Sequence, residues 1–170
     1  MVRLVGAIVS LHCLLMNLIM FCMSSPISRL IRDGIHERIH FFSSHFYSKL
    51  RVEGGVKDVE RWTSGNRRNF KIFEMEKIFI PAHVGLNHWV LCVILNPEDP
   101  RPMKNSRGCA SCILYFDSLE QVDKGHELGE NLRLWLNHLW ELTQGDSTNP
   151  FNKDNMPVIR PVGKSSPSTH

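Results

Sequence analysis

The chain has 170 residues, 42% of them hydrophobic and 22% charged, the balance of one globular domain able to bury a sizeable core. A formal charge of only +3, with no basic run, argues against nucleic acid as a partner. Five cysteines stand at 13, 22, 92, 109 and 112; their odd number and irregular spacing favour a reducing compartment over a disulfide-stapled secreted domain.

In chain order, residues 4–23 come first as a nearly uncharged apolar stretch behind Arg3. Its length fits a signal peptide or a membrane span, and Ser24 and Ser25 suit a cleavage site. His12 and Asn17 interrupt it, and the cysteine usage downstream is not secretory. Residues 1–25 are therefore read as an apolar leader, a buried helix or divergent leader of a soluble domain, with a signal or membrane segment as the alternative.

Residues 26–50 are expected to form two helical pieces, the second placing Phe46, Tyr47 and Leu50 on one face with Phe42 a turn earlier. Gly54–Gly55 and Thr63–Asn66 read as turns. Lys77-Ile-Phe-Ile-Pro81 reads as a short strand ended by proline. His88 to Leu95 is a continuous apolar run typical of a fully buried strand. The proline-rich stretch Asn96–Gly108 is a loop, and Ser111–Phe116 a third strand closed by Asp117. Glu127 to Leu142 carries Leu128, Leu132, Leu134, Trp135, Leu139 and Trp140, the stripe of a helix packed on a sheet. Composition turns polar from Thr143.

Two polar residues stand where buried strands meet loops. His88 opens one strand and Asp117 closes another. The interval between them suits neighbouring strands joined by the proline-rich loop. An acid beside an imidazole fixes its tautomer and stabilises its protonated form, the second half of a nucleophile–base–acid set. On spacing alone the assignment stays open, because a histidine before a strand and an aspartate after one are common surface residues. Cys109-x-x-Cys112 is half a zinc site without a second half. Neither metal nor cofactor is expected.

Five strings occur in order: Ile39-His-Phe-Phe-Ser-Ser-His-Phe-Tyr47, Val59-Glu-Arg-Trp-Thr63, Lys77-Ile-Phe-Ile-Pro81, Asn87-His-Trp-Val-Leu-Cys92 and Cys112-Ile-Leu-Tyr-Phe-Asp-Ser-Leu119. Together they resemble the ubiquitin-like-protein proteases, the sentrin/SUMO-specific family, over about residues 36–162. The Phe-Ser-Ser-x-Phe-Tyr string looks most like the subgroup that trims poly-SUMO chains. The resemblance implies an α+β, papain-like cysteine protease fold fragment, with a central, mostly antiparallel sheet and flanking helices. It makes 26–162 a partial SUMO-protease domain and 163–170 a non-family tail. It assigns His88 as general base and Asp117 as the acid that orients it. It makes Trp89 the substrate-binding aromatic lid over the modifier's C-terminal Gly-Gly, a slot that admits glycines and rejects side chains.

The family's nucleophilic cysteine lies several dozen residues beyond the aspartate, in a glutamine-bearing string ending Asp-Cys-Gly. No cysteine follows Cys112 in this sequence. Cys92 shares a strand face with His88 but lies roughly 13 Å along it at about 3.3 Å per residue. The expectation is SUMO-specific cysteine-type peptidase (deSUMOylation) kinship without proteolysis by this chain alone. Two alternatives stand beside it: a non-catalytic fragment that binds SUMO or another partner, and a membrane-anchored protein. SUMO or SUMO-conjugated proteins are the implied partners and the nucleus the implied location, with a membrane as the alternative if the leader is a true span.

Overall fold

The computed structural model describes residues 38–64, 71–85, 88–98, 110–117 and 124–161. The apolar leader, the tail from 163, Cys109 and most of the proline-rich loop lie outside them.

The elements in order are β1 (Ile39–Phe41), α1 (His45–Leu50), α2 (Gly55–Ser64), a 3-10 turn (Ile72–Glu74), β2 (Lys77–Val84), β3 (His88–Leu95), β4 (Cys112–Phe116), α3 (Lys124–Gln144) and β5 (Val158–Ile159). The strands form one sheet in the order β1-β2-β3-β4-β5. The long central pairings, β2 with β3 and β3 with β4, are antiparallel. The short outer pairings, β1 with β2 and β4 with β5, are parallel. The α+β expectation holds, with an antiparallel centre inside a mixed sheet.

Helix α3 supplies more of the core than any other single element. Leu128, Leu132, Trp135, Leu136 and Leu139 are buried along it, a run at helical spacing that forms one wide stripe. Leu134, expected in that stripe, is 58% exposed, because at 100° per residue it falls on the opposite face. The Trp135 ring meets those of Phe42 and Phe46 edge-on at 5.6 and 4.9 Å, which ties α3 to α1 and to the residue that follows β1.

Four readings of the sequence change. Ile39–Phe41 is a strand, not helix. Its register against β2 (Ile39↔Lys77, Phe41↔Phe79) supplies hydrogen bonds that so short a segment lacks alone. Gly55–Ser64 is a helix, not a link between turns. Its buried positions Gly55, Val59 and Thr63 recur every fourth residue, a stripe with too little apolar character to announce itself. Strand β2 continues past Pro81 to Val84. Pro81 lies on the same edge as Phe79, whose carbonyl accepts from Phe42 N. By Pro81, β1 has ended, so the missing N–H breaks no ladder bond. Strand β3 is not uniformly buried. His88, Val90, Cys92 and Ile94 are covered, whereas Trp89 and Leu91 are only half-covered.

Candidate active site

The register of β3 and β4 builds the site. Leu91 pairs with Phe116, so the next step places Asp117 opposite Val90, on the face shared by His88 and Cys92. His88 is then one diagonal step from Asp117, a distance that paired side chains span across a sheet. His88 Nε2 lies 2.7 Å from Asp117 Oδ1, with the two side chains 7% and 3% exposed. An ionised carboxylate only accepts, so Nε2–H donates and Nδ1 carries the imidazole lone pair. The expected contact is present, shielded from water, where a charge-assisted hydrogen bond is strong.

Reading the sequence alone missed Tyr115. Its hydroxyl donates to Asp117 Oδ2 at 3.1 Å. Tyr115 precedes Asp117 by two residues and so shares its face of the strand; that spacing was the available signal. Burial first, and then the Asp117 charge and the hydrogen bond to it, push the Tyr115 hydroxyl up. It stays protonated and remains a donor. The Arg160 guanidinium sits 5.0 Å from the centre of its ring, within cation–π range.

Trp89, the neighbour of His88, projects to the other face of the sheet. Its indole packs against His83 with ring centroids 4.8 Å apart, and the two residues are register partners on β3 and β2. The His83 carbonyl accepts from Arg51 Nη1 at 3.5 Å, which links this mouth of the sheet to the end of α1.

Two of the cysteines are described. Both are buried free thiols, and burial pushes the pKa of each up. A thiol held protonated is a poor nucleophile, and Cys92 is fully buried within β3, four residues along the strand from His88. Among the described residues no group of three or more His, Cys, Asp or Glu is placed to hold a metal ion. No described helix is long and apolar enough to cross a membrane.

The family model for the "Ulp1 protease family, C-terminal catalytic domain" matches residues 12–161. The chain belongs to the Ulp1 protease family. Among curated relatives, it is 36% identical over 88 residues to the ubiquitin-like-specific protease ESD4 of Arabidopsis thaliana, covering 51% of this chain and 15% of that protein. It is 44% identical over 95 residues to sentrin-specific protease 3 of Homo sapiens, covering 56% of this chain and 13% of that protein. The matches therefore span only a small part of those relatives' length. Among solved structures, a de-sumoylating protease superposes with a TM-score of 0.58 at 22% identity, covering 79% of this chain and 48% of that one. The C-terminal Ulp1 protease domain in complex with Smt3, the yeast ortholog of SUMO, gives 0.51 at 20% identity, covering 75% and 49%. These likenesses carry the fold, and the Ulp1 family match carries the kinship.

Proposed function

We propose that this chain supplies the proton-handling part of a SUMO-specific cysteine isopeptidase, with His88 as base, Asp117 as its orienting acid and Trp89 as a wall of the substrate slot. The buried 2.7 Å contact between His88 Nε2 and Asp117 Oδ1 carries the reading, supported by membership of the Ulp1 family. One solved relative is a SUMO protease whose catalytic cysteine is oxidised to a sulfinic acid, so the proposed nucleophile is a thiolate. His88 takes the thiol proton and the sulfur attacks the isopeptide carbonyl. The proton then passes to the departing lysine amine, and water later releases the thioester. Asp117 keeps Nε2 protonated throughout, so that Nδ1 is the nitrogen that exchanges the proton.

Neither described cysteine fits the attacking role, so the thiolate has to come from outside the described residues. On this proposal the described residues bind SUMO and handle the proton but do not supply the nucleophile. Purified chain would be titrated with SUMO by calorimetry and incubated with a SUMO–fluorophore substrate and a SUMO vinyl-sulfone probe. The expected result is binding that Trp89→Ala weakens by about tenfold, as for a buried aromatic anchor, with no turnover above background. Absence of SUMO binding overturns the substrate reading. Turnover with labelling at Cys92 or Cys112 overturns the reading of the nucleophile. Nuclear residence belongs to the same proposal, and imaging of the tagged chain checks it.

A further inference from the structure

Tyr115 stands one contact behind the His88–Asp117 pair, and its ring is held from several sides. The side chain is 1% exposed and belongs to the core on the face of the sheet that α3 covers. Gly125, near the start of α3, lets the helix close on that ring. A methyl group at 125 would sit 3.4 Å from both Cδ1 and Cε1 of Tyr115 and 3.0 Å from Arg160 Nη2. The Arg160 guanidinium lies over the ring, 5.0 Å from its centre. A ring packed this closely has little freedom to follow a moving partner, so its hydroxyl is a fixed point.

Asp117 needs such a point. The Cβ–Cγ torsion of an aspartate has broad minima, so contacts set the plane of its carboxylate. Two of them fall on opposite oxygens. Oδ1 accepts from His88 Nε2 at 2.7 Å, and Oδ2 from the Tyr115 hydroxyl at 3.1 Å. Burial, the Asp117 charge and that hydrogen bond all push the Tyr115 hydroxyl up in pKa, so at neutral pH it is a donor.

We propose that Tyr115 is a positioning residue for the proton transfer: by fixing the Asp117 carboxylate it holds Nε2–H of His88 on Oδ1 and keeps Nδ1 as the nitrogen that exchanges the proton. Tyr115 acts through Asp117 and touches no reacting atom. The inference rests on the proposed roles of His88 and Asp117, and it does not depend on SUMO as the substrate. A role in charge alone predicts the opposite effect on the pair. Losing the donor on Oδ2 would make the carboxylate more basic and would tighten its bond to Nε2, whereas losing a positioning contact would loosen that bond.

The test is proton NMR of the full chain carrying isotope-labelled histidine, with His88→Gln to assign the signal. The wild-type Nε2–H of His88 should resonate far downfield, as a donor to a buried carboxylate. In Tyr115→Phe it should move upfield and exchange with water roughly fivefold faster, the worth of about one hydrogen bond. Tyr47→Phe is the control for a loosened core. That hydroxyl pairs with Asn131 Nδ2 at 3.2 Å rather than with Asp117, and its loss should leave the signal in place. An unchanged resonance in Tyr115→Phe overturns the proposal, as does an equal shift in Tyr47→Phe. A further downfield shift in Tyr115→Phe overturns it too, in favour of charge alone. Absence of the downfield signal in the wild type removes the paired roles of His88 and Asp117, and the proposal with them. If Tyr115→Phe does not fold, the wild type still decides. Its Tyr115 hydroxyl proton should exchange slowly enough to be seen, and exchange as fast as that of a solvent-exposed tyrosine overturns the proposal.

Discussion

Tyr115 and Asp117, two residues apart on one face of β4, are joined by a 3.1 Å hydrogen bond from hydroxyl to carboxylate Oδ2. The other carboxylate oxygen is left to His88. The acid is held from both sides, so its orientation does not depend on the histidine alone. Tyr115→Phe removes one hydrogen bond from a buried carboxylate. A loss of about 1 kcal/mol in folding stability is expected, read from urea unfolding. An unchanged midpoint would show that water or another donor replaces the hydroxyl.

His88 and Asp117 should be strongly coupled. Removing one member of a buried charge-assisted pair costs about 3 kcal/mol. His88→Ala should therefore destabilise the chain by roughly that amount. The double variant His88→Ala/Asp117→Ala should be less unstable than the sum of the two singles by at least about 1 kcal/mol. Additive losses would mean that the close contact carries no energy.

The two described cysteines should resist alkylation. Burial raises the pKa of Cys92 and of Cys112, so little thiolate is present and the reagent has poor access. Brief treatment with iodoacetamide at neutral pH, followed by peptide mapping, should leave both unlabelled in the folded chain and label both in denaturant. Rapid labelling of Cys92 in the native state would reopen it as a nucleophile.

Acid should weaken the fold through His40. Burial lowers its pKa from 6.5 to about 4, and its ring meets Phe42 edge-on at 4.5 Å. Between those two pH values the unfolded chain takes up a proton that the folded chain refuses. Stability from this residue is therefore complete above pH 6.5 and is lost as pH falls towards about 4, by no more than about 3 kcal/mol. His40→Phe should flatten that part of the stability profile, measured by thermal melts across the range. A parallel decline in wild type and variant would assign the acid sensitivity elsewhere.

The strongest local patterns were decided by sequence alone. The run His88–Leu95 could bury its apolar side chains only as an inner strand, and the leucine and tryptophan stripe of α3 could be covered only against a sheet. Histidine and aspartate at strand ends, with five family-like strings around them, were enough to nominate the pair. Tertiary structure decided the features whose stability comes from distant partners. Ile39–Phe41 is a strand because β2 lies beside it, and Pro81 stays within β2 because no described strand borders that edge there. Leu134 is exposed because the sheet covers a single face of α3. The 2.7 Å contact of His88 with Asp117 follows from the β3–β4 register, since a slip of one residue would turn Asp117 to the opposite face. Hydrophobic period is a property of neighbouring residues, so a sequence displays it directly. Strand register is a relation between segments far apart in the chain, and only packing determines it.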